Sequence, residues 1–328
     1  MKGSIDVTAL EAAEPEACGM NSEAVAEAVS YAVAHESQMD RDIARALDGG
    51  HFSEPMPDGE IIGPVHPRGD PSGMILRHGK VVSQWGPVDA PDMTFSVTKS
   101  YLAICAGLAW DDGLIQLDAP VRDVVPDLFE AAQNQTITLR HLLHQTSEWE
   151  GELWGKADRI DRNRTLGAAP GTDSIKGTHR DLQAPGTFWE YNDIRVNVLS
   201  YALMQVFRRP LPDILRDRIM DPIGASQNWA WHGYRNSTVE INGVPMQSVS
   251  GGAHWGGGLM IPTTDHARVG LLMTQRGRRG DTLLLSEAWI DQCLKPCPLN
   301  SGYGFLWWLN GEGETAPSAP PSSYFAIG

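Results

Sequence analysis

The sequence predicts an α/β protein: a sheet flanked by helices, assembled from both ends of the chain, with a mostly helical domain inserted between the halves. Two observations predict it. Strand-like segments lie at both termini, "GMILRHGKVVSQWG" at residues 73–86 and "YGFLWWLN" and "YFAIG" at 303–310 and 324–328. The stretch between them is helical and loop-rich, as in "ITLRHLLHQTS" (137–147), "DIRVNVLSYALMQVFRR" (193–209) and "LPDILRDRIMDPIGAS" (211–226). A sheet formed by one terminus alone would lack a covering layer, so the two ends must join. Residues 1–120 together with 251–328 are therefore assigned to the α/β domain, and 121–250 to the helical insert.

In chain order, "NSEAVAEAVSYAVAHES" has apolar residues at helical spacing, with Ser22 as a candidate cap, and predicts a helix over 22–36. Residues 40–72 are rich in Gly, Pro and Asp and read as an irregular surface segment. The two apolar runs around His78-Gly79-Lys80 read as a β-hairpin. A long apolar helix opens at Ser96 and ends near Asp111-Asp112-Gly113, where glycine suits a left-handed cap. After "GGAHWGGGLMI" come a further helix, "TDHARVGLLMTQRG", and the terminal strand-like runs around a Pro/Ser loop, "TAPSAPPSS".

Composition narrows the function. The chain has 328 residues, 26 Lys+Arg and 41 Asp+Glu, for a net charge of −15. Such a field repels phosphate backbones and anionic membrane surfaces, which argues against a nucleic-acid or membrane partner. No apolar run is long enough to span a bilayer, and the N-terminus lacks the apolar core of a signal peptide. A cytoplasmic enzyme is the expectation. Cys18, Cys105, Cys293 and Cys297 are scattered without metal-ligand spacing, so neither zinc nor a disulfide framework is signalled. His141 and His144 share a helix face but lack a third ligand nearby in sequence, and read as packing and capping residues.

Three stretches stand out as carriers of chemistry. In "SVTK", Ser96 and Lys99 are three apart at a helix start, so the amine can reach the hydroxyl. The unpaired N–H groups and the dipole there also favour an oxyanion. Alone, the motif favours a capped helix with a solvated lysine; its setting, after a β-hairpin and at the start of a strongly apolar helix, predicts a partly buried Lys99. "FWEYNDIRVN" carries Tyr191, Asn192 and Asp193 between a turn and a helix. In "SGGAHWGGGL", His254 and Trp255 sit within a glycine run that either lines a cleft or merely forms a flexible loop.

Taken in order, these pieces resemble the penicillin-recognising serine hydrolases: class C β-lactamases, D,D-peptidases and related esterases and amide hydrolases. "DDGLIQLDAPV", "ITLRHLLHQTS", "APGTFWEYND" and "GGGLMIPTTDHARVG" extend the resemblance over nearly the whole chain. It implies an antiparallel, β-lactamase-like sheet, Ser96 as nucleophile, Lys99 as its partner, and Tyr191 as the tyrosine of a YxN-type element. Substrate would contact Asn192, Asp193, His254 and Trp255. Neither metal nor cofactor is implied. The sequence departs from the pattern in two places. Asp193 stands where the lactamases place asparagine, and the KTG-type strand motif is missing near the C-terminus, where the resemblance implies more strand beyond "SYFAIG".

The expected activity is acyl transfer through Ser96 on a small-molecule carboxylic ester or linear amide. A D-amino-acid-type peptidase or amidase, a β-lactamase, and a catalytically silent ligand-binding protein on the same scaffold stay open, as does the oligomeric state. A lysine near its ordinary pKa of ~10.4 is a poor base at neutral pH. The chemistry thus expects a site that suppresses the charge on Lys99. The carboxylate of Asp193 is expected to repel that of a β-lactam and to favour neutral esters.

Overall fold

The computed structural model describes residues 6–48, 54–169, 171–313 and 315–328. Near the N-terminus α1 (Ser22–Ala34) is capped by Asn21, whose side chain accepts from Ala24 N at 2.8 Å; Ser22 is its first residue. A short α2 (Ile43–Asp48) follows. The first hairpin pairs β1 (Gly73–Arg77) with β2 (Lys80–Trp85). His78 and Gly79 have φ of +53° and +79°, the twist a two-residue hairpin turn needs.

The main sheet has four antiparallel strands in the order β3 (Pro91–Met93), β8 (Gly258–Pro262), β6 (Ala230–Ile241), β7 (Val244–Val249). The long β6–β7 hairpin lies within the span read as a helical insert, and it pairs with β8 from the C-terminal part of the chain. That corrects the helical reading of residues 230–249. Asn242 and Gly243, both left-handed at +56° and +77°, turn the hairpin. The insert otherwise contains α4 (Leu139–Leu143), the small pair β4 (Glu152–Leu153) and β5 (Lys156–Ala157), α5 (Asp193–Phe207) and α6 (Leu211–Leu215). Beyond β8 come α7 (Thr263–Thr274), β9 (Arg278–Arg279), β10 (Thr282–Leu283), α8 (Glu287–Cys293), β11 (Trp308–Leu309) and β12 (Tyr324–Phe325). β11 pairs with β12 in a two-stranded sheet of its own.

The helix that opens the site, α3 (Thr98–Asp111), is buried from Thr98 to Ala109 and forms the centre of the core with α5 and α8. Gly107 lets the Trp289 ring lie directly on α3, where its Nε1 donates to Ala103 O at 3.0 Å. Arg195 of α5 is 1 % exposed and bonds Glu148 at 2.8 Å and Asp158 at 3.3 Å. Arg180 forks onto Glu148 and Glu190. This buried ion network ties residues 145–190 to the start of α5 and so fixes the approach to Tyr191. Among the described residues no helix is long and apolar enough to cross a membrane.

Candidate active site

Ser96 lies in a short 3₁₀ turn, Phe95–Val97, that runs into α3. Phe95 is held at φ +44°, a left-handed conformation that costs a bulky residue about 1–3 kcal/mol and persists where surroundings over-determine it. Those surroundings are the strands. Thr94 N and Oγ1 both donate to Leu259 O of β8, at 3.1 and 2.9 Å, and Leu259 N donates to Thr98 Oγ1 at 3.1 Å. The turn is thus bolted to β8 on both sides of Ser96. Gly328 packs against the Ser96 backbone, where an added Cβ would stand 2.9 Å from Ser96 N.

Lys99, one turn on and 1 % exposed, donates from Nζ to Ser96 Oγ at 2.9 Å. Its ammonium also contacts Asp193 Oδ1 and lies 4.7 Å from the centre of the Tyr191 ring. Burial works to lower its pKa. The Asp193 carboxylate, with Tyr191, outweighs that, and Lys99 ends above the ordinary lysine value. The expected suppression of charge on Lys99 is therefore corrected: the residue is held as an ammonium.

Asp193 is the hub. Burial pushes its carboxyl upward, but Lys99, a hydrogen bond from His254 and the Arg164 guanidinium bring it well below the usual carboxylate range. Arg164 Nη1 lies 2.7 Å and His254 Nδ1 2.8 Å from Oδ2, while the Asp193 backbone N–H donates to Asp161 Oδ2 at 2.7 Å. With two cations against it, this carboxylate presents no uncompensated charge to substrate. The expected repulsion of a β-lactam carboxylate by Asp193 therefore has no free charge behind it. Gly252 makes the pairing possible, because a Cβ there would collide with both Lys99 Nζ and Asp193 Oδ1.

Ser96, Asp193, Arg164 and His254 line one cavity of about 450 Å³, together with Arg68 and His266. His266 bonds Tyr101 OH at 2.9 Å, and burial lowers its pKa to about 4, so it forms a neutral wall at pH 7. Tyr191 is 5 % exposed and stacks on Trp308. Asn192 does not face the cavity: its Oδ1 accepts from Arg195 N at 3.2 Å, capping α5, and its Nδ2 donates to Asp158 O at 3.0 Å. Trp255 is also absorbed by packing, with Nε1 on Asp58 O at 2.9 Å and Lys156 over its ring. Both were expected to contact substrate, and both are framework residues in the structure.

Residues 72–328 match the family model Beta-lactamase. The chain belongs to the β-lactamase family. Solved structures with the same fold include the "putative beta-lactamase" of Bacteroides dorei, 18% identical with a TM-score of 0.53 over 81% of this chain and 76% of that one. The "putative 6-aminohexanoate-dimer hydrolase" of Bacillus anthracis is 14% identical with a TM-score of 0.52, covering 78% and 68% of the two chains. The octameric penicillin-binding protein homologue of Pyrococcus abyssi is 16% identical with a TM-score of 0.50, covering 73% and 60%. No curated protein shows significant sequence similarity to the chain. The mixed helices and antiparallel sheets described above are those of the β-lactamase fold.

Several residues that shape this β-lactamase-family site escaped the sequence reading. Arg164 and Asp161 come from an irregular stretch without periodicity. Glu54 comes from the segment read as surface. Glu54, Asp161 and His254 bring ligand-type atoms within 4.8 Å of one another. The Lys176 ammonium supplies a cation there, contacting Glu54 and lying 3.1 Å from Asp161. The one available signal was the glycine run. Gly256, Gly257 and Gly258 have φ of +82°, +70° and +78°, which only glycine adopts in series. A Cβ on Gly63 would stand 2.5 Å from Gly257 N, so two backbones meet there in direct contact.

Proposed function

We propose that this chain is a serine hydrolase that cleaves a small carboxylic ester or linear amide through an acyl-enzyme on Ser96. One observation carries the reading: a fully buried lysine ammonium bonds the Ser96 hydroxyl at 2.9 Å on the wall of a cavity. The ion pair with Asp193 holds Lys99 in place, and its second bond, to a hydroxyl on the cavity wall, is what points to chemistry.

Lys99 and Tyr191 act as one proton-transfer pair. Base catalysis requires that the pair first give up one proton. Loss of that proton, with Lys99 kept charged by Asp193, leaves the negative charge on the Tyr191 oxygen. Two cations support that charge: Lys99 lies 4.7 Å and Arg164 5.4 Å from the ring centre. Tyr191 then takes the Ser96 proton as Oγ attacks the carbonyl. The pair returns a proton to the departing alcohol or amine, and water releases the acyl group. An amine needs that proton more than an alcohol does, and a charged Lys99 beside Oγ suits it to the task.

The test is Ser96→Ala, a small change at a site already fixed by Thr94 and Thr98. Wild-type protein incubated with a slow p-nitrophenyl ester is expected to gain one acyl adduct by intact mass, located on the peptide containing Ser96, while the variant gains none. An adduct on another residue, or full turnover by Ser96→Ala, overturns the reading.

A further inference from the structure

The line of contacts does not end at Asp193. His254 Nδ1 lies 2.8 Å from Asp193 Oδ2, and on the other side of the ring Nε2 lies 2.6 Å from Glu54 Oε1. All three side chains are nearly sealed from water, at 1 % exposure for His254, 3 % for Asp193 and 6 % for Glu54. A neutral imidazole has one N–H, so one of these two contacts would set a lone pair against a carboxylate. An imidazolium donates to both.

The other charged groups around the ring allow that form. Lys176 Nζ, 3.4 Å from Nε2, is a like charge against that form, and the Glu54 and Asp161 carboxylates that it also contacts offset it. Asp161 and Asp193 are on the acidic side, and Arg164 and Lys99 lie beyond Asp193. We propose that Glu54 and His254 are positioning residues for the Ser96–Lys99–Tyr191 group: Glu54 holds His254 as a doubly donating imidazolium, which takes up part of the Asp193 charge that otherwise pins Lys99. This rests on the hydrolase reading above.

Glu54 lies outside the span that matches the family, and it reaches the site by a docked segment. Lys156 Nζ donates to Asp58 O and Glu60 O at 2.7 and 3.0 Å, Ile62 N and Gly63 N both donate to Trp255 O, and Gly257 N donates to Pro64 O at 2.8 Å. These bonds seat residues 58–64 on the glycine run and leave Glu54 behind His254.

The direction of the effect follows from distances. Replacing Glu54 by glutamine removes one negative charge and, with it, the reason for the imidazolium's positive charge. The change is neutral overall, yet the charge lost from His254 was the one touching Asp193. Asp193 then bears harder on Lys99, and the Lys99–Tyr191 pair gives up its proton only at higher pH.

The experiment follows the rate at which Ser96 Oγ is phosphonylated by a fluorophosphonate probe, with loss of fluoride, from pH 5 to 10, in wild type, Glu54→Gln, His254→Gln and the double variant. The rising limb is expected to move up by about one pH unit or more in each single variant, a loss of about tenfold at pH 7 if the limb lies above it. The double variant is expected to be no worse than the worse single, because both act through one contact. A uniform loss at all pH values with an unmoved limb, or strictly additive losses, overturns the proposal. Independently of activity, ¹⁵N-histidine NMR of wild type is expected to show an imidazolium at position 254 through neutral pH, and a neutral ring there overturns it as well. If wild type fails to label at Ser96, the hydrolase reading fails, and the NMR result still decides the state of His254.

Discussion

Asp193→Asn isolates what the carboxylate does, because it keeps the shape and removes the charge. At an effective dielectric of about 20, two unit charges about 4 Å apart interact by about 4 kcal/mol. At 1.36 kcal/mol per pKa unit that is at most about three units of downward shift for the proton held by Lys99 and Tyr191. The rising limb of kcat/KM for p-nitrophenyl acetate is therefore expected to fall by between about one and three pH units. The variant also leaves Arg164 and His254 facing an amide. Removing one member of a buried ion group costs about 3–5 kcal/mol, and Asp161, 3.4 Å from Arg164, keeps the loss near the lower end. Asp193 has a depressed folded pKa, so its stabilisation is present above its unfolded value near 4 and is lost as pH falls through the folded value. The stability gap in urea should hold at neutral pH and close only well below pH 4. A limb that stays in place or moves upward would refute the electrostatic account of Lys99.

Two further substitutions separate the catalytic from the architectural roles. Gly252→Ala places a methyl against Lys99 Nζ and Asp193 Oδ1. It is expected to cost about 1–3 kcal/mol of stability by overpacking, and to lower kcat/KM by about a hundredfold, read as about 2.7 kcal/mol in the barrier; urea melts and p-nitrophenyl acetate kinetics on one preparation check both. Asn192→Ala removes the α5 cap and is expected to cost about 1–2 kcal/mol of stability, measured in urea, while the midpoint of the pH–rate profile stays where it is in wild type.

The parts legible in the sequence were those encoded locally. The first hairpin announced itself by two apolar runs about His78 and Gly79. Ser96 and Lys99 announced themselves by a three-residue spacing at a helix start. The β6–β7 hairpin carried the same kind of local signal, Asn242-Gly243 between strand-length runs, and it was hidden only by the helical reading of the sequence around it. Asp193 shows the harder limit. Its identity predicts a negative charge, but its effect depends on Lys99, Arg164 and His254, which lie 94, 29 and 61 positions away. Whether a carboxylate repels a ligand or is consumed inside the protein is decided by such partners, and no spacing rule reaches them. Glu54 is further out of reach, since nothing in its Gly- and Pro-rich neighbourhood distinguishes a docked segment from a solvated one.

The direct backbone contact between Gly63 and the glycine run bears on where this catalytic unit can be cut. A fragment trimmed to residues 72–328, the part that looks like its relatives, would retain Ser96, Lys99 and Tyr191. It would lose Gly63, the acceptors on Asp58 and Glu60 that hold Lys156, and Glu54 behind the His254 ring. Left-handed glycines have little resistance of their own to rearrangement, so the loop carrying Gly252 and His254 would be free to drift from the nucleophile it backs. The leading segment is best regarded as the rear wall of the reaction chamber, built from a part of the chain that family boundaries leave outside.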